Sequence, residues 1–102
     1  MKECCAAYLN EQFGGDADVV NEIYNEYASS AKDKVTEAEM ALSGEQWDLL
    51  DRVAHTIKGN ALAAGDEETA NTGISLRSAA KLHNADDAAS LIAKLKELTA
   101  AL

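Results

Sequence analysis

The segment Ala54–Asn60 places a histidine, a lysine and a glycine close together on what is predicted to be one helix. At about 100° per residue, His55 falls opposite an apolar face and is therefore predicted to point to solvent. A neutral imidazole in that position is a nucleophile. Lys58, three residues on, lies on the same side, where its ammonium can offset negative charge that arrives at the ring. The apolar face consists of Leu50, Val53, Ala54, Ile57, Ala61 and Ala64.

Gly59 is the residue that most favours a function for His55 over an ordinary solvated surface histidine. A glycine inside a helix costs about 1 kcal/mol relative to alanine, and no break in the pattern requires one here. This cost next to His55 indicates that another molecule comes close. Leu62 follows on the same polar stripe, together with Asp48 and Asp51, as an apolar side chain that is predicted to be exposed.

The stretch from about Ala38 to Leu102 resembles the histidine-containing phosphotransfer (HPt) domains of two-component phosphorelays. The family pattern is an alanine-histidine pair, a hydrophobic residue, lysine-glycine, a small residue and a second glycine ten positions after the histidine. The chain matches it with Ala54-His55, Ile57, Lys58-Gly59, Asn60 and Gly65. The resemblance implies that His55 is phosphorylated, that Lys58 steadies the phosphoryl group and that a receiver domain docks at Gly59, Leu62, Asp51 and Arg77.

The chain departs from the family pattern at three positions. Asn60 replaces the commoner serine or alanine, and Thr69 replaces a leucine. Arg77 stands where the next helix often carries a glutamate or glutamine that can hydrogen-bond the imidazole. An arginine there could contact the phosphoryl group, because a planar guanidinium suits phosphate oxygens, or pair with a nearby carboxylate.

The composition predicts one helical domain over residues 1–102. Proline is absent, alanine is abundant, and no run of β-branched and aromatic residues favours a strand. The net charge of −9 argues against nucleic acid and anionic membrane surfaces as partners. A cationic or mixed protein surface is the more natural partner.

The apolar spacing predicts an all-α fold, an antiparallel up-down-up-down four-helix bundle with a short extra N-terminal helix. The short helix covers Glu3 to Phe13 with an apolar stripe of Ala6, Leu9 and Phe13, and Gly14-Gly15 ends it. The second opens at Asp16 and closes at Ser43-Gly44, and the third runs from about Glu45 to Ala64, with Gly65 ending it. The fourth starts at Asp66-Glu67-Glu68 and contains Gly73, which indicates close packing or a local weakness. Asn84 or its neighbours cap the fifth.

The other candidates for chemistry are weaker. Cys4 and Cys5 are adjacent and are predicted to be reduced thiols. His83 is predicted to lie near the end of the fourth helix, where its partial charge favours the helix dipole. No carboxylate or histidine cluster has metal-ligand spacing, and no phosphate-binding loop or kinase signature is present. A phosphoryl group would therefore have to come from another protein, and the resemblance implies a phosphocarrier without an ATP site of its own. The sequence has no signal or membrane segment, and we expect a cytoplasmic monomer.

The resemblance implies a phosphorelay intermediate that exchanges a phosphoryl group with response-regulator receiver domains or a hybrid histidine kinase. In that family the receiver supplies the aspartate and the magnesium ion, so no cofactor or metal site is expected on this chain. Two alternatives to this interpretation stay open. In the first, the chain is a helical adaptor that docks through the Gly59 and Leu62 face without phosphorylation. In the second, it is the phosphorylatable domain of a chemotaxis-type or hybrid histidine kinase.

Overall fold

The computed structural model describes all residues, 1–102, which form five α-helices and no strand. The molecule is elongated, 43 Å along its longest axis, because the longest helix runs its full length. The predicted all-α fold is confirmed. The helices are α1 (Glu3–Gln12), α2 (Ala17–Ser43), α3 (Trp47–Ala63), α4 (Glu67–Lys81) and α5 (Ala85–Ala100).

Helices α2 to α5 form the predicted antiparallel four-helix bundle. Three connections of three residues each join them, which is too short for anything but antiparallel neighbours. Each helix packs against the next along the chain, and α5 closes the ring against α2. The short α1 packs on α2 at the end of the bundle where α3 ends and α4 begins.

Side-chain caps begin three of the helices, as the sequence indicates. Asp16, Asp66 and Asn84 each accept a hydrogen bond from the backbone N–H three residues on, at Val19, Thr69 and Asp87. Each cap satisfies one of the N–H groups that a first helical turn leaves without a partner.

Two predicted helix boundaries are wrong by one or two residues, for a local reason. Glu45 has a φ of 52°, a left-handed conformation that cannot belong to a right-handed helix, so α3 begins only at Trp47. Phe13 lies outside α1 and is exposed, and the buried residues of that helix are Cys5 and Leu9 rather than the predicted stripe through Phe13.

The core divides into two apolar clusters along the bundle. One lies among α2, α3, α4 and α5, beneath the first half of α3. The other lies where α1 covers the bundle, and its residues come from α1, the first half of α2, the end of α3 and the start of α4. The second cluster contains Cys5, Leu9, Val20, Tyr24, Tyr27, Ala28, Ala31, Ala61, Ala64 and Ala70.

A buried carboxylate, Asp66, joins α1 to the bundle. Its oxygens accept hydrogen bonds from the Tyr27 hydroxyl at 2.7 Å, the Thr69 hydroxyl at 2.8 Å and the Lys2 ammonium at 2.9 Å, and the residue has no solvent exposure. Burial alone raises the pKa of Asp66, but the hydrogen bonds from Lys2, Tyr27 and Thr69 outweigh it and hold that pKa below its usual value. The sequence pattern predicts only that Asp66 favours the positive end of the helix dipole in the first turn of α4, and not that it is buried.

Gly65, which ends α3, is required for two reasons. Its φ of +75° is in the left-handed region, and a Cβ at this position would lie 2.4 Å from Cβ of Tyr8. Any side chain at this position would therefore displace α1. The predicted terminator is also the surface against which Tyr8 packs.

Candidate functional site

The candidate site lies in the middle of α3, above the larger of the two core clusters. His55 is exposed, and the residues that flank it on its inner side, Ala54 and Ile57, are buried in the core. The helix is thus held from below while His55 faces solvent, as the periodicity predicts. Lys58 is half-buried, Gly59 is exposed and Leu62 is 50% exposed.

Arg77 of α4 reaches across to His55. Its Nη1 lies 3.0 Å from His55 Nδ1, and its Nε donates to Asp51 Oδ1 at 2.9 Å. Asp51 is one helical turn before His55, so the three side chains form a chain of hydrogen bonds from carboxylate to guanidinium to imidazole. Of the two alternatives for Arg77, the structure shows the pairing with a nearby carboxylate, Asp51, and adds a contact with the imidazole that neither alternative included.

This chain of hydrogen bonds orients the imidazole. Nδ1 is engaged by Arg77, whereas Nε2 has no hydrogen-bond partner within the protein and lies on an exposed residue. The ring is thus held in one orientation, with Nε2 facing the side from which another molecule can approach. Because Asp51 and Arg77 lie 26 residues apart in sequence, their pairing is not visible in the local pattern.

The two helix-interior glycines near the site differ in their surroundings. A Cβ on Gly59 would have nothing within 4 Å, so no part of the chain itself requires a glycine there. A Cβ on Gly73 would lie 3.2 Å from Lys58 N and 3.3 Å from Ala54 O, both backbone atoms of α3. Gly73 thus allows α4 to approach α3 directly beneath His55, which explains its place in a helix as close packing.

The residues at the three positions that depart from the family pattern all form hydrogen bonds with polar side chains. The Asn60 side-chain amide donates to Ser30 Oγ of α2 at 3.4 Å, and Thr69 donates to the buried Asp66. Arg77, the third departure, bonds Asp51 and His55. None of the three substitutions leaves a buried polar group without a hydrogen bond.

The remaining polar candidates lie away from His55. Cys4 is exposed and Cys5 buried, both as free thiols, and burial raises the pKa of Cys5 to about 12. His83 lies just beyond α4 rather than within its last turn, with a φ of 53°, and stacks on Trp47 with ring centroids 5.1 Å apart. No group of three or more His, Cys, Asp and Glu side chains is arranged to hold a metal ion. None of the five helices is long and apolar enough to cross a membrane.

The fold and the site together define a helical bundle that holds an oriented histidine at its surface, facing solvent. The family model for the Hpt domain matches residues 22–102, and the chain therefore belongs to the Hpt domain family. Members of this family carry out histidine phosphotransfer in two-component phosphorelays as phosphocarriers, without an ATP site of their own. Comparisons with curated proteins and with solved structures found no match.

Proposed function

We propose that the protein is a phosphorelay intermediate in which His55 accepts a phosphoryl group from a phospho-aspartate of one receiver domain and passes it to another. The observation that carries this proposal is the exposed His55 ring, which Arg77 and Asp51 hold through Nδ1 so that Nε2 faces solvent. In the transfer, Arg77 leaves Nδ1, the ring hydrogen occupies Nδ1, the Nε2 lone pair forms the N–P bond, and the P–O bond to the aspartate breaks. The electron pair of that bond leaves with the carboxylate.

The charge on the phosphoryl group has to be offset by both proteins. Phosphoryl transfer is catalysed mainly by positioning and by electrostatic stabilisation of the equatorial oxygens. We assign the magnesium ion and the aspartate to the receiver, and the imidazole and the Lys58 ammonium to this chain. The protein itself then needs no cofactor.

We place the docking surface on α3 and α4 around His55. Gly59 is open to solvent, Leu62 and Ile74 are 50% and 47% exposed, and Asp51 and Arg77 lie half-buried beside them. This combination of an apolar patch and a flat glycine suits a protein partner, because interfaces bury an apolar centre inside a polar rim. The partner touches the same face that carries the nucleophile.

Acetyl-phosphate-charged receiver domains provide the direct test of this function. Incubation should give the protein an acid-labile, base-stable phosphoryl group, and adding a second, uncharged receiver should remove it. A protein that binds receivers without taking the label would instead be an adaptor. Label that comes only from a kinase with ATP, and never from a charged receiver, would indicate a kinase phosphorylation domain.

We expect the glycine at position 59 to be required for docking of a partner and not for stability of the fold. Because its Cβ position is open, Gly59→Ala should raise the free energy of unfolding by about 0.5–1 kcal/mol through helix propensity. Gly73→Ala should lower it, because overpacking against backbone costs about 1–3 kcal/mol and outweighs the same gain in propensity. Urea denaturation of both variants measures whether the free energy of unfolding rises in Gly59→Ala and falls in Gly73→Ala.

Docking at Gly59 is tested with a larger side chain. Gly59→Gln should slow label transfer from a receiver, while Ser90→Gln, at an exposed site on α5, should transfer as the parent does, since α5 does not contact α3. Unimpaired transfer by Gly59→Gln would contradict the docking role of this position.

Lys58 should act on the phosphorylated state more than on the fold. Pairing between a partly exposed ammonium and a phosphoryl group is worth about 1 kcal/mol or a little more after screening. Lys58→Ala should therefore reduce the transfer rate by roughly tenfold at low salt, since 1.4 kcal/mol is a factor of ten. The free energy of unfolding should change by less than about 0.5 kcal/mol.

The salt dependence and a matched lysine separate this role from a general charge effect. Raising the ionic strength should shrink the difference between Lys58→Ala and the parent. Lys94→Ala removes the same charge from an exposed site on α5 and should transfer normally. If Lys58→Ala transfers as fast as the parent at low salt, Lys58 is an ordinary surface residue.

A further inference from the structure

We propose that Arg77, held in place by Asp51, keeps Nδ1 of His55 free of a proton, and that it thereby sets the tautomer of the free ring and protects the phosphorylated ring from hydrolysis. Arg77 is on this view a positioning residue that acts through the imidazole. The part that concerns the phosphorylated ring rests on the proposed function, whereas the part that concerns the free ring does not.

In the hydrogen bond between Arg77 and His55, only Arg77 can be the donor. A guanidinium carries five N–H donors, has no acceptor and stays protonated in proteins. With Nη1 at 3.0 Å, Nδ1 must accept the hydrogen bond with its lone pair. The single hydrogen of a neutral imidazole then resides on Nε2, because a hydrogen on Nδ1 would face a guanidinium hydrogen at that distance.

The surrounding charges hold this arrangement. Asp51 accepts from Arg77 Nε at 2.9 Å, and both side chains are about 30% exposed, at 27% and 30%. The Asp51 carboxylate is thus engaged by the guanidinium and does not accept from the ring. The other charged groups on this face are Asp48 and Lys58 on α3 and Lys81, one turn beyond Arg77 on α4. Apart from Arg77, no charged side chain forms a hydrogen bond with the ring.

The same hydrogen bond should preserve the phosphohistidine. In hydrolysis, a water oxygen forms a bond to phosphorus, the P–Nε2 bond breaks, and its electron pair goes to the imidazole. The ring leaves as a neutral molecule only if Nδ1 already carries a proton, and otherwise leaves as an imidazolate, which is a poor leaving group. By occupying the Nδ1 lone pair, Arg77 withholds the proton that would make the ring a good leaving group.

The forward reaction requires this bond to open. Nε2 has a free lone pair only when the ring hydrogen has moved through solvent to Nδ1, and that hydrogen displaces Arg77. The incoming phosphoryl oxygens are stronger acceptors for the guanidinium than Nδ1. Once Nε2 is bonded to phosphorus, the Nδ1 hydrogen is released to solvent as a proton and Arg77 can bind Nδ1 again. Transfer to a second receiver runs through the same opening in reverse: Arg77 leaves Nδ1, which regains a proton from solvent before the P–Nε2 bond breaks.

The tautomer can be measured without any phosphorylation. Nitrogen-15 NMR of the imidazole, recorded at a pH where His55 is neutral, should show the ring hydrogen on Nε2 in the parent. In Arg77→Gln the new amide oxygen can accept from Nδ1, so the population with hydrogen on Nδ1 should rise. Arg52→Gln, an exposed site on the same helix as His55, removes the same charge and should leave the spectrum unchanged.

The lifetime of the phosphohistidine tests the second part. Each protein is labelled with a charged receiver, the receiver is removed, and loss of label is followed across the pH range in which histidine titrates. Arg77→Gln should lose its label about five- to tenfold faster in mild acid, as expected for the loss of one charge-assisted hydrogen bond. The difference should vanish in alkaline solution, where no ring is protonated. Asp51→Asn should show part of the effect and Arg52→Gln none.

A hydrogen on Nδ1 in the parent, or equal lifetimes in the parent and Arg77→Gln at every pH, would overturn the proposal. If Arg77 only stabilised the fold, Arg77→Gln would shorten the lifetime of the phosphohistidine equally at all pH values, and that result also contradicts the proposal. A parent that takes no label from any charged receiver contradicts the proposed function instead, and the NMR spectrum then still determines whether Arg77 sets the ring hydrogen.

Discussion

Replacing His55 with glutamine should abolish phosphoryl transfer completely and leave the fold intact. Glutamine keeps a polar side chain of similar length but has no nucleophilic nitrogen. Because His55 is exposed and its loss removes only the contact with Arg77, the free energy of unfolding should change by less than about 0.5 kcal/mol. Label uptake from a charged receiver and urea denaturation followed by circular dichroism measure the two effects.

His83 offers the matched control, since it is the second of two histidines in the chain. His83→Gln removes an imidazole that stacks on Trp47 at the start of α3, about two turns from His55, and it should take up label as the parent does. Transfer that fails in His83→Gln and persists in His55→Gln would show that the wrong histidine was assigned. Unfolding of His55→Gln would show that the ring is structural.

Replacing Asp66 with asparagine should have the largest effect on stability. Asparagine can still cap α4, but it loses the charge that pairs with Lys2 and holds Tyr27 and Thr69. Breaking a buried ion pair by removing one partner costs about 3–5 kcal/mol. We expect the lower end of that range, because Lys2 remains partly solvated. Urea denaturation near neutral pH measures the loss.

The pH dependence identifies the carboxylate as the cause. The folded-state pKa of Asp66 lies below its unfolded value, so its contribution is present above the unfolded pKa, about 3.9, and is lost as the pH falls through the folded pKa. The difference between Asp66→Asn and the parent should therefore narrow in acid. Asp16→Asn makes the same change at the exposed cap of α2 and should cost less than about 0.5 kcal/mol. A gap for Asp66→Asn that stays constant with pH would contradict this origin.

Local chemistry was enough to predict the helices and the place of His55. Caps such as Asp16 and Asn84 act within three residues, and a buried stripe repeats every three to four positions, so both are visible in the sequence. The exceptions are Glu45 and Phe13. Their conformations depend on how the chain leaves one helix and enters the next, which a periodic pattern does not describe.

Long-range packing determined which side chains surround His55. The helix cost of Gly73 is visible in the sequence, but only the structure shows that this glycine brings α4 against the backbone of α3 beneath His55. That approach is what places Arg77 within 3.0 Å of the imidazole.

The sequence by itself determined the fold class and the exposed face of His55, the candidate nucleophile, because helix periodicity and the Ala54-His55 to Gly59 spacing are properties of one continuous segment. Only the tertiary structure decided the partner of each polar group. Arg77 meets Asp51 and His55 from a different helix, and Asp66 gathers Lys2, Tyr27 and Thr69 from different parts of the chain. Such pairs form because buried and half-buried charges must find hydrogen-bond partners wherever packing places them, at sequence separations on which local spacing has no influence.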